Sequence, residues 1–189
     1  MNPFSIALCT FCLLSACATS TPDHYYILSS QPPAAGVART APVSQVALSM
    51  SVPSLVDRYE MVLNTGSTGV IVLEHERWAA PLSDLMTQAL AQDIERRRPD
   101  LLVAGRALAP ASGASVKLAV NVVQMSVRKG DRATIETQWR MLDGRGTEEA
   151  GGAVFSAPLG GDNYAGVAQA VSECLGLLAD RLVARIPLK

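Results

Sequence analysis

The sequence predicts an α+β domain in which an antiparallel (mixed) β-sheet packs against two amphipathic helices. Three observations carry that expectation. From Val116 to Ala157, three segments alternate apolar and polar residues, separated by Lys129-Gly130-Asp131 and Asp143-Gly144, as in an antiparallel meander. Two other segments, Pro81 to Ile94 and Val167 to Ile186, repeat their apolar residues every three to four positions, as amphipathic helices do. The composition, 49% hydrophobic and 17% charged over 189 residues, supplies one buried core and is too apolar for a disordered chain.

Taken in order, His24-Tyr25-Tyr26-Ile27-Leu28 has the aromatic and β-branched content of a strand, and the Pro-, Ala- and Gly-rich run Ser30–Pro42 reads as a loop. Val43–Val52 places Val46, Leu48, Met50 and Val52 on one face, a half-buried strand that Pro53 stops. Tyr59–Asn64 and Val70–Leu73 form a hairpin around Gly66-Ser67-Thr68-Gly69. No Lys-Ser/Thr pair and no helix follows that loop, so it is a turn and not a phosphate cradle. Pro81 suits the first position of a helix whose stripe is Leu82, Leu85, Met86, Ala89, Leu90 and Ile94. The helix closes in Arg96-Arg97-Arg98-Pro99, where positive charge complements the macrodipole and the arginines are expected in solvent.

Leu101–Val103 is a short strand, followed by a loop around Pro110–Gly113. In the meander, Val116, Leu118, Val120 and Val122 keep one phase, and then Val123, Met125 and Val127 keep the other, a slip that a β-bulge produces. Ala133, Ile135, Thr137, Trp139 and Met141 carry the next strand. Asp143-Gly144 reads as a tight turn into Ala153–Ala157. Asp162 or Asn163 caps the last helix, whose stripe is Val167, Val171, Cys174, Leu175, Leu178, Leu182 and Ile186, and Pro187 ends it.

The N-terminus has a different character. Phe4–Leu14 is mostly apolar, and its eleven residues span about 16 Å as a helix, too short for a hydrocarbon core of about 30 Å but right for a signal-peptide h-region. No Lys or Arg precedes it. Leu14-Ser15-Ala16-Cys17 follows and resembles the lipobox of bacterial lipoproteins, which implies cleavage before Cys17 and a diacylglycerol on its thiol. Residues 1–16 are then a signal peptide, 17–23 a lipidated tether and 24–189 the domain. Ala18, in place of Asp after the cysteine, implies the outer membrane by resemblance to the sorting rule of enteric-type bacteria. Cys9, Cys12 and Cys17 all fall in this region, so Cys174 is left without a partner and is read as a small buried hydrophobe.

A catalytic constellation is not visible. There is no Gly-x-Ser-x-Gly elbow, and His24 and His75 stand apart without metal-ligand spacing. Glu74, His75 and Glu76 alternate faces if they lie on a strand. The net charge of -1 and the 5% aromatic content give no footprint for nucleic acid. No enzyme activity, metal or cofactor is expected beyond the covalent lipid on Cys17.

Three short patterns, in order, behind the lipobox, resemble one family: Tyr25-Tyr26-Ile27-Leu28, then Val52-Pro53-Ser54-Leu55-Val56-Asp57-Arg58, then Arg77-Trp78-Ala79-Ala80-Pro81-Leu82 opening a helix. The chain is similar to the ABC-type transport auxiliary lipoproteins of the paraquat-inducible protein C type, over essentially the whole mature segment. It departs in having Tyr59-Glu60 where the family usually has Pro-Gln, and Ala80 where an acidic residue is frequent. The resemblance implies a non-catalytic lipoprotein that works beside a periplasmic MCE-domain protein in moving lipid between membranes and supporting envelope integrity. It makes Tyr25, Tyr26, Pro53, Asp57, Arg58, Trp78, Pro81 and Leu82 the candidate partner-contact or motif residues, with self-association into a ring as a further expectation. Two other readings stand beside it: a lipid-binding carrier, and a structural envelope lipoprotein without a transporter partner.

Overall fold

A computed structural model of the chain describes residues 21–32, 44–105, 115–161 and 163–187. The expected signal peptide, Cys17, most of the Ser30–Pro42 loop, the Pro110–Gly113 loop and Asp162 lie outside the described residues. Among the described residues, eight strands and two helices follow in the order β1 (His24–Tyr26), β2 (Ser44–Ser51), β3 (Glu60–Asn64), β4 (Val70–Trp78), α1 (Leu82–Arg97), β5 (Leu101–Ala104), β6 (Val116–Val127), β7 (Arg132–Asp143), β8 (Glu148–Pro158) and α2 (Ala165–Val183).

The strands form two sheets. The larger has the order β5-β2-β6-β7-β8, and the smaller has the order β1-β4-β3. β6, β7 and β8 are the expected antiparallel meander, but β2 runs parallel to both β5 and β6, so the sheet is mixed. The smaller sheet joins the antiparallel β3–β4 hairpin to β1, which is parallel to β4. Asn64, at the end of β3, fastens the sheets together: its side-chain carbonyl accepts the Val127 N–H of β6 at 2.9 Å.

Both helices lie on one face of the large sheet, α1 over β2 and β5 and α2 over β7 and β8, and they pack on each other. The inward residues of β6 and β7 meet the stripes of both helices. Leu118, Ile135, Leu82, Met86, Leu90, Leu175, Leu178 and Leu182 are all essentially sealed from solvent. Cys174 is buried among them, and burial pushes its thiol up to about 12, which leaves it a packing residue and not a nucleophile. No helix among the described residues is long and apolar enough to cross a membrane.

The register of β6 shifts between Val122 and Gln124. The bulge lies at the expected slip, yet Val123 is the extra residue and points outward, 41% exposed; the inward face resumes at Met125. Four other expectations are corrected. Pro81 precedes the first helical position, with an extended ψ of 136°, so helical dihedrals begin at Leu82. The β7–β8 connection is a loop over Gly144–Thr147 and not a two-residue turn. Asp143 accepts the Arg145 and Thr147 N–H groups through Oδ1, and Gly146 supplies the positive φ of 85°. β8 is longer than Ala153–Ala157. α2 ends at Val183, four residues before Pro187, although Ile186 beyond it is still buried. Its start is as expected: Asn163 Oδ1 accepts the Gly166 N–H at 3.1 Å.

The arginines that close α1 are the largest departure. Only Arg96 faces solvent. The Arg97 side chain is 7% exposed between Asp93 and Asp180, and Arg98 is paired with Asp100 while donating to the Ile186 carbonyl. Charge at this helix end is used to join α1 to the C-terminal segment, a role that local sequence cannot display.

Candidate functional site

The three sequence patterns converge on the start of α1. The backbone of Trp78 and Ala79 lies between two neighbours: Trp78 N–H donates to the Tyr59 carbonyl at 2.6 Å, and Ala79 N–H donates to the Tyr26 carbonyl at 2.8 Å. Trp78 itself is 2% exposed and Leu82 fully buried, so both build the core beneath this junction. Asp57 closes it. The segment after Pro53 folds as a turn, with Val56 and Asp57 N–H donating to the Pro53 carbonyl, and this aims the Asp57 carboxylate at α1. Its Oδ1 accepts the Ser83 N–H at 2.9 Å. Because Pro81 has no side-chain oxygen, α1 takes its N-terminal cap from a residue 26 positions upstream.

The two faces of the small sheet carry different charges. On one, Glu60 bridges Arg58 (2.9 Å) and Arg77 (3.1 Å), while Asp23 accepts from His75 at 2.9 Å and lies 3.9 Å from Arg77. The Arg58 hydrogen bond holds the Glu60 carboxyl below its usual range, and that of His75 does the same for Asp23. On the other face Glu76 takes a hydrogen bond from the Tyr26 hydroxyl at 2.6 Å and one from His24 at 3.0 Å. Burial alone would raise Glu76, but those two bonds prevail and hold it low. The Tyr26 hydroxyl is pushed up to about 12 by burial and by that carboxylate. Each histidine thus meets one carboxylate, on opposite faces. Among the described residues no group of three or more such side chains converges for a metal. Tyr25, on the Asp23 face, is 63% exposed, its hydroxyl 3.5 Å from Asp23 Oδ2.

A second feature lies on the other side of the large sheet, away from the helices. Registered rows cross four strands there: Ser49–Ala119–Arg140–Ala150 and Ser51–Asn121–Gln138–Gly152, with Met50–Val120–Trp139–Gly151 between them. The outer rows are walls of small and polar side chains, and the middle row, turned inward, leaves its backbone as the floor. The groove measures about 570 Å³. Gly151 is dictated by the inner side, because a Cβ there would sit 2.6 Å from Trp139 Cζ2. The indole covers the glycine, and its Nε1 is buried with no partner.

The sequence reading missed a third cluster. Asp93 is fully buried on α1; its Oδ1 accepts the Gln31 N–H at 2.5 Å, and its Oδ2 has no partner. Arg97 donates to the Gln31 carbonyl, the Asp93 carbonyl and Asp93 Oδ1, and pairs with Asp180 on α2. One signal was available. Asp93 lies three residues after Leu90 and beside Ile94, inside the apolar stripe, where a lone carboxylate demands a partner.

The family described as ABC-type transport auxiliary lipoprotein component matches residues 26–183. A solved structure of an uncharacterized protein superposes with a TM-score of 0.74 at 15% identity, covering 88% of this chain and 100% of that one. Protein XCC0632 from Xanthomonas campestris superposes with a TM-score of 0.64 at 17% identity, covering 85% of this chain and 91% of that one. At these identities the likeness concerns the fold. No curated protein matches the chain in sequence. With the family match spanning the junction of β1, β4 and α1 and continuing through the meander into α2, the chain belongs to the ABC-type transport auxiliary lipoprotein family.

Proposed function

We propose that this protein is a periplasmic lipoprotein, anchored to the outer membrane through lipid on Cys17, that acts as the non-catalytic auxiliary component of an MCE- and ABC-type system moving lipid between membranes. It docks on, or caps, a periplasmic MCE-domain partner and so supports envelope integrity. The observation that carries this reading is the family match over residues 26–183. Two features agree with it. Ala18 follows the cysteine of the lipobox, and each histidine meets a single carboxylate, which suits a docking module better than a reacting centre. The space between the large sheet and the helices is filled by side chains such as Val46, Leu118, Ile135 and Leu175, which favours docking over carriage of an acyl chain there.

Lipid on Cys17 fixes position: each buried methylene contributes about 0.8 kcal/mol, and two or more chains anchor stably. Cys17→Ser is therefore expected to move the protein from the membrane to the soluble fraction of a carbonate wash; retention in the membrane overturns the anchor. For the partner, crosslinking in intact cells followed by purification of the lipoprotein is expected to recover an MCE-domain protein. Its clean absence overturns the docking role.

A further inference from the structure

The segment His24–Pro32 joins the chain leaving Cys17 to the body of the domain, and it is held by a short set of polar bonds. β1 pairs only three residues with β4, where the Tyr26 carbonyl accepts the Ala79 N–H and His24 and the Tyr26 hydroxyl donate to Glu76. Beyond it, the Ser29 N–H donates to Ser172 Oγ on α2 at 3.1 Å. Gln31 then lies over both helices, its N–H on Asp93 of α1 and its carbonyl on Arg97, which reaches across to Asp180 of α2. Gly176 makes room for it: a Cβ there would lie 2.9 Å from the Gln31 Cβ. Of the side chains in this stretch, Leu28 enters the core and Tyr26 packs against it, whereas Tyr25 and Ile27 are 63% and 65% exposed. A segment with so little buried apolar area opens at a lower cost than the core it lies on.

We propose that His24–Pro32 is a releasable strap whose latch is Asp93 with Arg97, and that seating or lifting it sets the length of the membrane tether. The consequence for tether length rests on the reading that Cys17 carries lipid; the latch itself does not. Lifting the strap adds its nine residues to the reach between anchor and domain, about 30 Å at full extension.

The latch is also proton-sensitive. Asp93 faces Arg96 and Arg97 from its own helix and, through Arg97, Asp180 of α2, while the strap contributes a peptide N–H and no charge. Burial outweighs the arginines and the Gln31 N–H and pushes the carboxyl up to about 6, from an ordinary 3.8. Lifting the strap returns water to the carboxylate and its pKa toward the ordinary value. Proton binding favours the state with the higher pKa, so the strap is held most firmly at low pH and loosens as pH rises through about 6.

Hydrogen exchange on the purified full chain, corrected for the intrinsic pH dependence of exchange, tests this at each pH from 5 to 8. The Ser29 and Gln31 amides are expected to lose protection over that range, by about 10-fold, while Leu118 and Val120 of β6 do not change. Asp93→Asn is expected to abolish the dependence, and Gly176→Ala to lower protection at Gln31 at every pH. Three results overturn the proposal: protection at Gln31 that equals the β6 value throughout, protection independent of pH in the wild type, or a pH dependence that survives in Asp93→Asn. Mass spectrometry of Cys17 reports separately on the lipid, so a missing anchor and a missing latch are told apart.

Discussion

At the scale of single residues, two aspartates show how differently a carboxylate serves when its surroundings change. Asp57 lies in a partly exposed turn and accepts one N–H from the first turn of α1. Asp57→Ala is expected to cost about 1 kcal/mol in urea unfolding, the usual value of an N-cap, with the m-value unchanged. Asp93 is sealed in, with one oxygen bonded and the other unpartnered, a costly arrangement that Arg97 only partly offsets. Neither role was fully legible in the sequence. The turn around Asp57 could be read from Pro53, but its target Ser83 is fixed by tertiary placement. Asp93 announced itself by its place in an apolar stripe, while its partner Gln31 lies in a stretch that reads only as loop.

At the scale of elements, legibility tracked the physics of periodicity. Side-chain alternation gave the three long strands, helical spacing gave both helices, and a phase slip located the bulge, because each is a local pattern imprinted by one buried face. Pairing partners are another matter. That β2 lies between β5 and β6, parallel to both, and that β1 joins a separate sheet are outcomes of how the layers close, which alternation does not encode. The bulge offers a sharp test. Val122 is 2% exposed and its neighbour Val123 is 41% exposed. Val123→Asp is expected to change stability by no more than about 0.5 kcal/mol, whereas Val122→Asp buries an unpaired charge and is expected to cost more than about 4 kcal/mol in chemical denaturation.

At the scale of the whole molecule, the titrating groups pull in opposite directions. Asp93 is raised on folding, so its contribution is full below its unfolded value of 3.8 and is lost as pH climbs to about 6. Glu76 and Asp100 are lowered, so theirs is present above their unfolded values and is lost on acidification. Stability is therefore expected to fall between pH 4.5 and 7, with Asp93 contributing about 2 kcal/mol of the fall, and Asp93→Asn should flatten the decline. Urea midpoints at a series of pH values read this directly. The placement of the two tryptophans has an optical consequence. Trp78 lies buried at the end of β4 in the small sheet, and Trp139 lies buried in the large one, so each sheet carries its own fluorophore. Trp78→Phe and Trp139→Phe isolate the two emissions. If the sheets melt as one cooperative body, the two denaturation curves follow the global transition recorded by circular dichroism for each variant; a sheet that lets go early would betray itself by a colour change ahead of it.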